Sequence, residues 1–161
     1  MLGTLFKVLV MTLVVVAITA VVGLGIMAGV AGTHDVKRVA VPKNCSLSAI
    51  AGTSDYIDAF RGPMEYASYR TIEEVSQNAT IKGDMEIHRN KYEVVYAGSA
   101  PGITYQVAYV LDREAFPPTI AMVTAVKFAG KKGRYYWKVM RPIHRCLAPY
   151  MVDRLKTRAP N

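Results

Sequence analysis

Ile103-Thr104-Tyr105-Gln106-Val107-Ala108-Tyr109-Val110-Leu111 is the stretch whose reading decides the fold. Ile103, Tyr105, Val107, Tyr109 and Leu111 alternate with Thr104, Gln106, Ala108 and Val110. A period of two is that of a strand, here with one large apolar face and one small or mildly polar face. Upstream, Lys91 to Ala97 carries Tyr92, Val94, Val95 and Tyr96, and Gly98-Ser99-Ala100-Pro101-Gly102 is a turn cluster between the two runs. Downstream, Phe116-Pro117-Pro118 breaks the chain, and Ile120, Met122, Thr124, Val126 and Phe128 alternate again. Three strands on short connections predict an antiparallel meander.

Gly130-Lys131-Lys132-Gly133 reads as the next turn, followed by a helix from about Arg134 to Lys156. Val139, Ile143, Leu147, Met151 and Leu155 recur at spacing four, with Met140 and Tyr150 beside them, and predict one buried stripe. Lys138, Arg141 and Arg145 share another face. Pro142 and Pro149 fall inside the pattern and predict a kink or break there. Before the meander, Thr71-Ile72-Glu73-Glu74 is a capping box, which predicts a short helix over 72–79. Asp55 to Phe60 is a short element that Gly62-Pro63 should stop, and Val36 to Val41 reads as either a strand or a linker. Strands first and a long helix last give the α+β class, a sheet packed on a C-terminal helix.

Val8 to Thr33 is a run of 26 residues without a charge. About 20 apolar residues in a helix cross a bilayer core. The apolar region of a signal peptide is only about 7–15 residues. Residues 1–33 therefore read as an uncleaved single-pass anchor, with Gly29-Val30-Ala31 offering the alternative of a cleavage site. Residues 34–53 follow as a juxtamembrane linker or first strand, and 54–158 as the α+β domain. Lys7 and the chain terminus flank one side of the run, and Lys37, Arg38 and Lys43 the other. That excess of one charge favours a domain on the cytoplasmic side.

The net charge is +8, and its distribution is uneven. Residues 1–126 hold 10 Lys+Arg and 11 Asp+Glu, whereas residues 127–161 hold 10 Lys+Arg and only Asp153. A basic segment suits an anionic partner or a solvated helix face. Cys45 and Cys146 lack both CxxC and metal-ligand spacing, and either pair or stay as free thiols.

The stretch Gly133-Arg134-Tyr135-Tyr136-Trp137-Lys138-Val139-Met140-Arg141-Pro142-Ile143-His144-Arg145 and its continuation Cys146 to Met151 resemble the ending of a bacterial family of unknown function. Ser54-Asp55-Tyr56-Ile57-Asp58-Ala59-Phe60 resembles that family's opening. The family is related to the START-like, helix-grip superfamily of polyketide cyclases and lipid-transfer domains. The resemblance implies a curved antiparallel sheet gripping the C-terminal helix, here in reduced form because Met64 to Asn90 is short for such a fold. It also implies an apolar pocket between sheet and helix. Tyr105, Tyr109, Trp137, Met140 and His144 are then the candidate ligand-binding residues, and Lys138, Arg141 and Arg145 the candidate anionic-surface residues.

The chain has no P-loop, GxGxxG, GxSxG or HExxH. Of His34, His88 and His144, only His144 lies on a motif-bearing helix, and no second titratable group can be assigned to it. Asp55 and Asp58 are candidates through the resemblance alone. No catalytic residue, cofactor or metal is expected. The expected partners are a membrane, a small apolar or amphipathic ligand and anionic lipid, without nucleic acid. The first two readings are a membrane-tethered binding module, and a non-catalytic protein that docks its basic helix on anionic lipid or a membrane complex; an enzyme of the cyclase or hydrolase kind that uses His144 ranks last.

Overall fold

The computed structural model describes residues 35–64, 71–79 and 84–157. The uncharged run expected as an anchor lies outside the described residues. Among those described, no helix is long and apolar enough to cross a membrane.

Six strands form one antiparallel sheet in the order β1-β2-β6-β5-β4-β3. They are β1 (Lys37–Val39), β2 (Tyr56–Pro63), β3 (Met85–Arg89), β4 (Glu93–Ala100), β5 (Ile103–Asp112) and β6 (Thr119–Phe128). A 3-10 segment, Ser46–Thr53, precedes β2, α1 is Ile72–Ala79, and α2 is Gly130–Thr157. The segment 34–53 thus supplies an edge strand and a 3-10 turn. At the start of α1, the Thr71 amide donates to Glu74 Oε2 at 2.8 Å and the Glu74 amide to Thr71 Oγ1 at 3.3 Å, the reciprocal bonds of a capping box.

Two strands depart from the sequence reading. β2 runs through Gly62-Pro63, which face Ile120 and Thr119 of β6. On its other edge β1 pairs only with Ala59–Arg61, so Pro63 owes no hydrogen bond to a second neighbour. β3, to which the sequence reading assigns no element, is an edge strand with Met85 and Ile87 exposed. It buries neither face, so it carries no alternation to detect.

The sheet has two unlike faces. Val94, Tyr96, Val107, Tyr109, Leu111, Ile120 and Met122 pack against Ile72 and Val75 of α1 and Ala148, Val152 and Leu155 of α2. The opposite face is built largely from Ala59, Ala108, Ala121, Ala125, Val95 and Val123, and takes Cys45 and Leu47. Buried Glu93 fastens that cover: its Oε1 accepts from the Ser46 amide at 2.9 Å and the Ser46 hydroxyl at 3.0 Å. Burial and the hydrogen bond with Glu93 push the Cys45 thiol up to about 12. Cys146 sits on α2, on the other side of the sheet, and both cysteines are free.

α2 begins at Gly130, so Gly130–Gly133 is its first turn and not a separate loop. It is one helix despite Pro142 and Pro149. Pro142 is solvent-exposed, which leaves the carbonyl it would otherwise bond open to water. The buried stripe also differs. Trp137, Ala148, Val152 and Leu155 are buried, whereas Val139 is 54% and Ile143 37% exposed. With 3.6 residues per turn, each step of four overshoots by about 40°. The row from Val139 to Leu155 therefore winds about halfway round the helix and cannot share one face.

The start of α2 is locked to the β4–β5 turn by two glycines. Gly102, at φ +75°, accepts the Ala129 amide at 2.7 Å, and a Cβ on Gly133 would collide with the Gly102 carbonyl oxygen. Gly133→Ala should therefore destabilise the protein by more than about 1 kcal/mol, although alanine is the better helix former. Gly52→Ala, which meets nothing within 4 Å, should shift stability by less than about 0.5 kcal/mol. Denaturant unfolding of the full chain checks both, and the sign for Gly133 is the decisive readout.

Candidate functional site

α2 packs mainly on β6 and β2, which leaves the helix off-centre on the sheet. Its two flanks are chemically different.

The flank toward β5 holds a cavity of about 270 Å³. Its floor is the large-residue face of the sheet, including Tyr105, Val107 and Met122, and its roof is Trp137, Met140 and His144 of α2. Strand alternation sends Tyr105 and Val107 to this side, and the helical period brings 137, 140 and 144 together. Four of the five residues expected to bind a ligand thus meet here: Tyr105, Trp137, Met140 and His144. Tyr109 does not. It is 1% exposed within the core and packs on Tyr96 with ring centroids 6.4 Å apart. Two positions farther along β5, it passes beneath the part of the sheet that α1 closes.

Polar groups are few in the cavity wall. Tyr105 donates to Asp84 Oδ1 at 2.7 Å, and burial with that carboxylate raises its hydroxyl to about 12. His144 Nε2 bonds Thr124 Oγ1 at 3.0 Å. His144 Nδ1 and Trp137 Nε1 are buried without a hydrogen-bond partner among the described residues. The two rings lie 5.5 Å apart. Burial lowers the pKa of His144, reinforced by the charge of Arg145 and opposed by that of Asp58.

Between cavity and strand β2 lies a buried carboxylate. Asp58 is 3% exposed. It accepts from Tyr56 OH at 2.5 Å, from Arg38 Nε of β1, and from Arg145 Nε of α2 at 3.4 Å. Burial alone would raise its pKa. The bonds from Tyr56 and Arg38 and the charges of Arg38 and Arg145 outweigh that and hold it below the usual carboxylate range. Asp55 has a different task, its Oδ2 accepting the Phe128 amide at 2.7 Å.

The other flank of α2, toward β2, is an open cleft that carries Arg134, Lys138, Arg141 and Arg145. All three expected anionic-surface residues are there. Sequence reading missed Arg134 and Tyr56, which complete the cleft, and Thr124, which holds His144. Thr124 did leave a signal: it is the one polar residue in the alternation of Ile120, Met122, Val126 and Phe128.

No protein family model, curated protein or solved structure matches this chain.

Two predictions follow from the polar groups at the sheet–helix boundary. A histidine whose folded pKa is below its unfolded value of about 6.5 stabilises the fold above that pH and loses its contribution as pH falls. Acidification below about pH 6.5 should therefore weaken the fold, and His144→Gln should flatten that slope in melting curves taken across pH. Asp58→Asn should cost about 2–3 kcal/mol at neutral pH, read by denaturant unfolding, because it removes a buried charged acceptor from three donors.

Proposed function

We propose that this chain is a membrane-tethered, non-catalytic binding module whose cavity takes a small apolar or amphipathic molecule. The carrying observation is the largely apolar space between α2 and the sheet, lined by Tyr105, Trp137, Met140 and His144. Small-molecule sites are typically about 300–1,000 Å³ with a few placed polar groups. At about 270 Å³ the cavity suits a single ring system or short chain better than a diacyl lipid. Met122, Met140 and Met151 give it adaptable walls.

Several features support the wider reading. An antiparallel sheet with the C-terminal helix packed on β6 and β2 is compatible with the sheet and helix that the resemblance to the START-like superfamily implies. The uncharged run 8–33 is long enough for a single-pass anchor, and the flanking charges favour a cytoplasmic domain. The proposal includes no chemical step, because the partner of His144 is Thr124 and the nearby carboxylate of Asp58 is taken by Tyr56 and two arginines.

The single tryptophan makes the test direct. In the full chain in detergent micelles, the Trp137 indole N–H gives one resonance in a ¹H–¹⁵N spectrum. It should shift saturably with a neutral apolar probe such as 1-naphthol. Leu147→Phe and, separately, Ala100→Leu should fill the cavity and abolish the shift. An indole resonance equally responsive in the filled variants, or unresponsive to every neutral probe, would overturn the reading.

A further inference from the structure

We propose that the β2-facing flank of α2 is an anion site for one compact phosphate-bearing group. The cleft there is about 460 Å³ and open to solvent. One wall is a stripe of four cations on α2, Arg134, Lys138, Arg141 and Arg145, at successive spacings of 4, 3 and 4. That spacing follows the helical period, so all four project to the same side. The facing wall is Asp55, Tyr56 and Phe128.

The charges do not cancel. Four cations line the cleft beside one carboxylate, that of Asp55, and Arg145 also pairs with Asp58 behind it, which leaves a surplus of two. Asp55 is itself occupied, with Oδ2 on the Phe128 amide. Two of the cations are oriented from behind. The Arg141 guanidinium lies 5.2 Å from the centroid of the Tyr56 ring, and Arg145 Nε is 3.4 Å from Asp58 Oδ2. Arg134 and Lys138 have no ion-pair partner among the described residues. Gathering four like charges in a groove raises the local potential, and an anion bound between them relieves the repulsion.

Shape and charge select the ligand class. A flat anionic bilayer would meet a convex basic face, whereas these cations line a recess. A carboxylate satisfies one guanidinium fork. A phosphate ester offers about −1.5 to −2 charges and three acceptor oxygens, which several cations can share. The phosphate could belong to a soluble monoester or, as a diester with a single negative charge, to a phospholipid headgroup; the shared chemistry is a phosphoryl group whose oxygens accept from the cations. The site is independent of the apolar cavity: the two lie on opposite flanks of α2 and share only Trp137 among their lining residues.

The test uses the full chain in micelles of uncharged detergent. One arm titrates glycerol phosphate, the other dopes the micelles with phosphatidylglycerol, and calorimetry reads binding in each. Glycerol and phosphatidylcholine are the controls. Wild type is compared with the Arg134→Gln, Lys138→Gln double variant, which removes only the two unpaired cations and should keep the unliganded melting point. The double variant should bind at least about tenfold more weakly. Binding of glycerol phosphate marks a soluble-ester site, and binding of phosphatidylglycerol alone marks a headgroup site. Either upholds the proposal when the double variant loses it. Equal binding by wild type and variant, or no binding of either phosphate, overturns it. Should the double variant melt early, Lys138→Gln alone is read in the same way. The indole shift with 1-naphthol should survive these substitutions, so failure here is separable from failure of the cavity reading.

Discussion

A carboxylate buried between a sheet and a helix must have positive charge and hydrogen-bond donors within reach. Left unpaired, such a group would cost several kcal/mol. Asp58 is that carboxylate, and α2 answers it with Arg145 while β1 answers with Arg38. The demand does more than join three elements. It agrees with the rotation of α2 that buries Trp137, Ala148, Val152 and Leu155 against the sheet. With Arg145 turned to β2, the helical period places Arg141, Lys138 and Arg134 along the same flank. Met140, Leu147 and Met151 fall on the opposite flank, above β5. Trp137, Ala148 and Val152 lie between, against the sheet. Cavity and cleft are two results of one orientation.

The parts of the fold that were legible in the sequence are those with a local cause. Strict alternation from Ile103 to Leu111 and from Ile120 to Phe128 reports one face of large and one of small side chains, and it gave β5 and β6 to within a residue. The capping box at Thr71 reports a reciprocal pair of hydrogen bonds only three residues apart. What escaped has a tertiary cause. β3 is held by pairing with β4 and by the bonds of Arg89 to Ser76 and Glu73 of α1, not by burying a face, so its own residues carry no periodic imprint. Gly62 and Pro63 look like a break, yet one free edge lets a strand contain them. The spacing-four row on α2 misled because proximity along a helix is not the same as a shared face over many turns.

The same division holds for the site. Four pocket residues were recognisable because they are large side chains at strand or helix positions that converge. Tyr109 has the same chemistry and the same strand face. Only the placement of α1 decides that it is core and not wall, and no local pattern encodes that placement. The cavity itself comes from the offset of α2 toward β2 and β6, a displacement to which hydrophobic periodicity is blind.

The small side chains beneath the 3-10 segment have a consequence for how this protein can evolve. Ala59, Ala108, Ala121 and Ala125 let that segment lie close enough for Ser46 to reach Glu93. Adding a methylene there lifts the cover and leaves a buried carboxylate without its donors. Across the sheet, methionines and rings around an unfilled space absorb substitutions at little cost. One layer of backbone thus separates a face that tolerates drift from one that resists it. Selection is free to reshape the cavity without disturbing the framework that holds it.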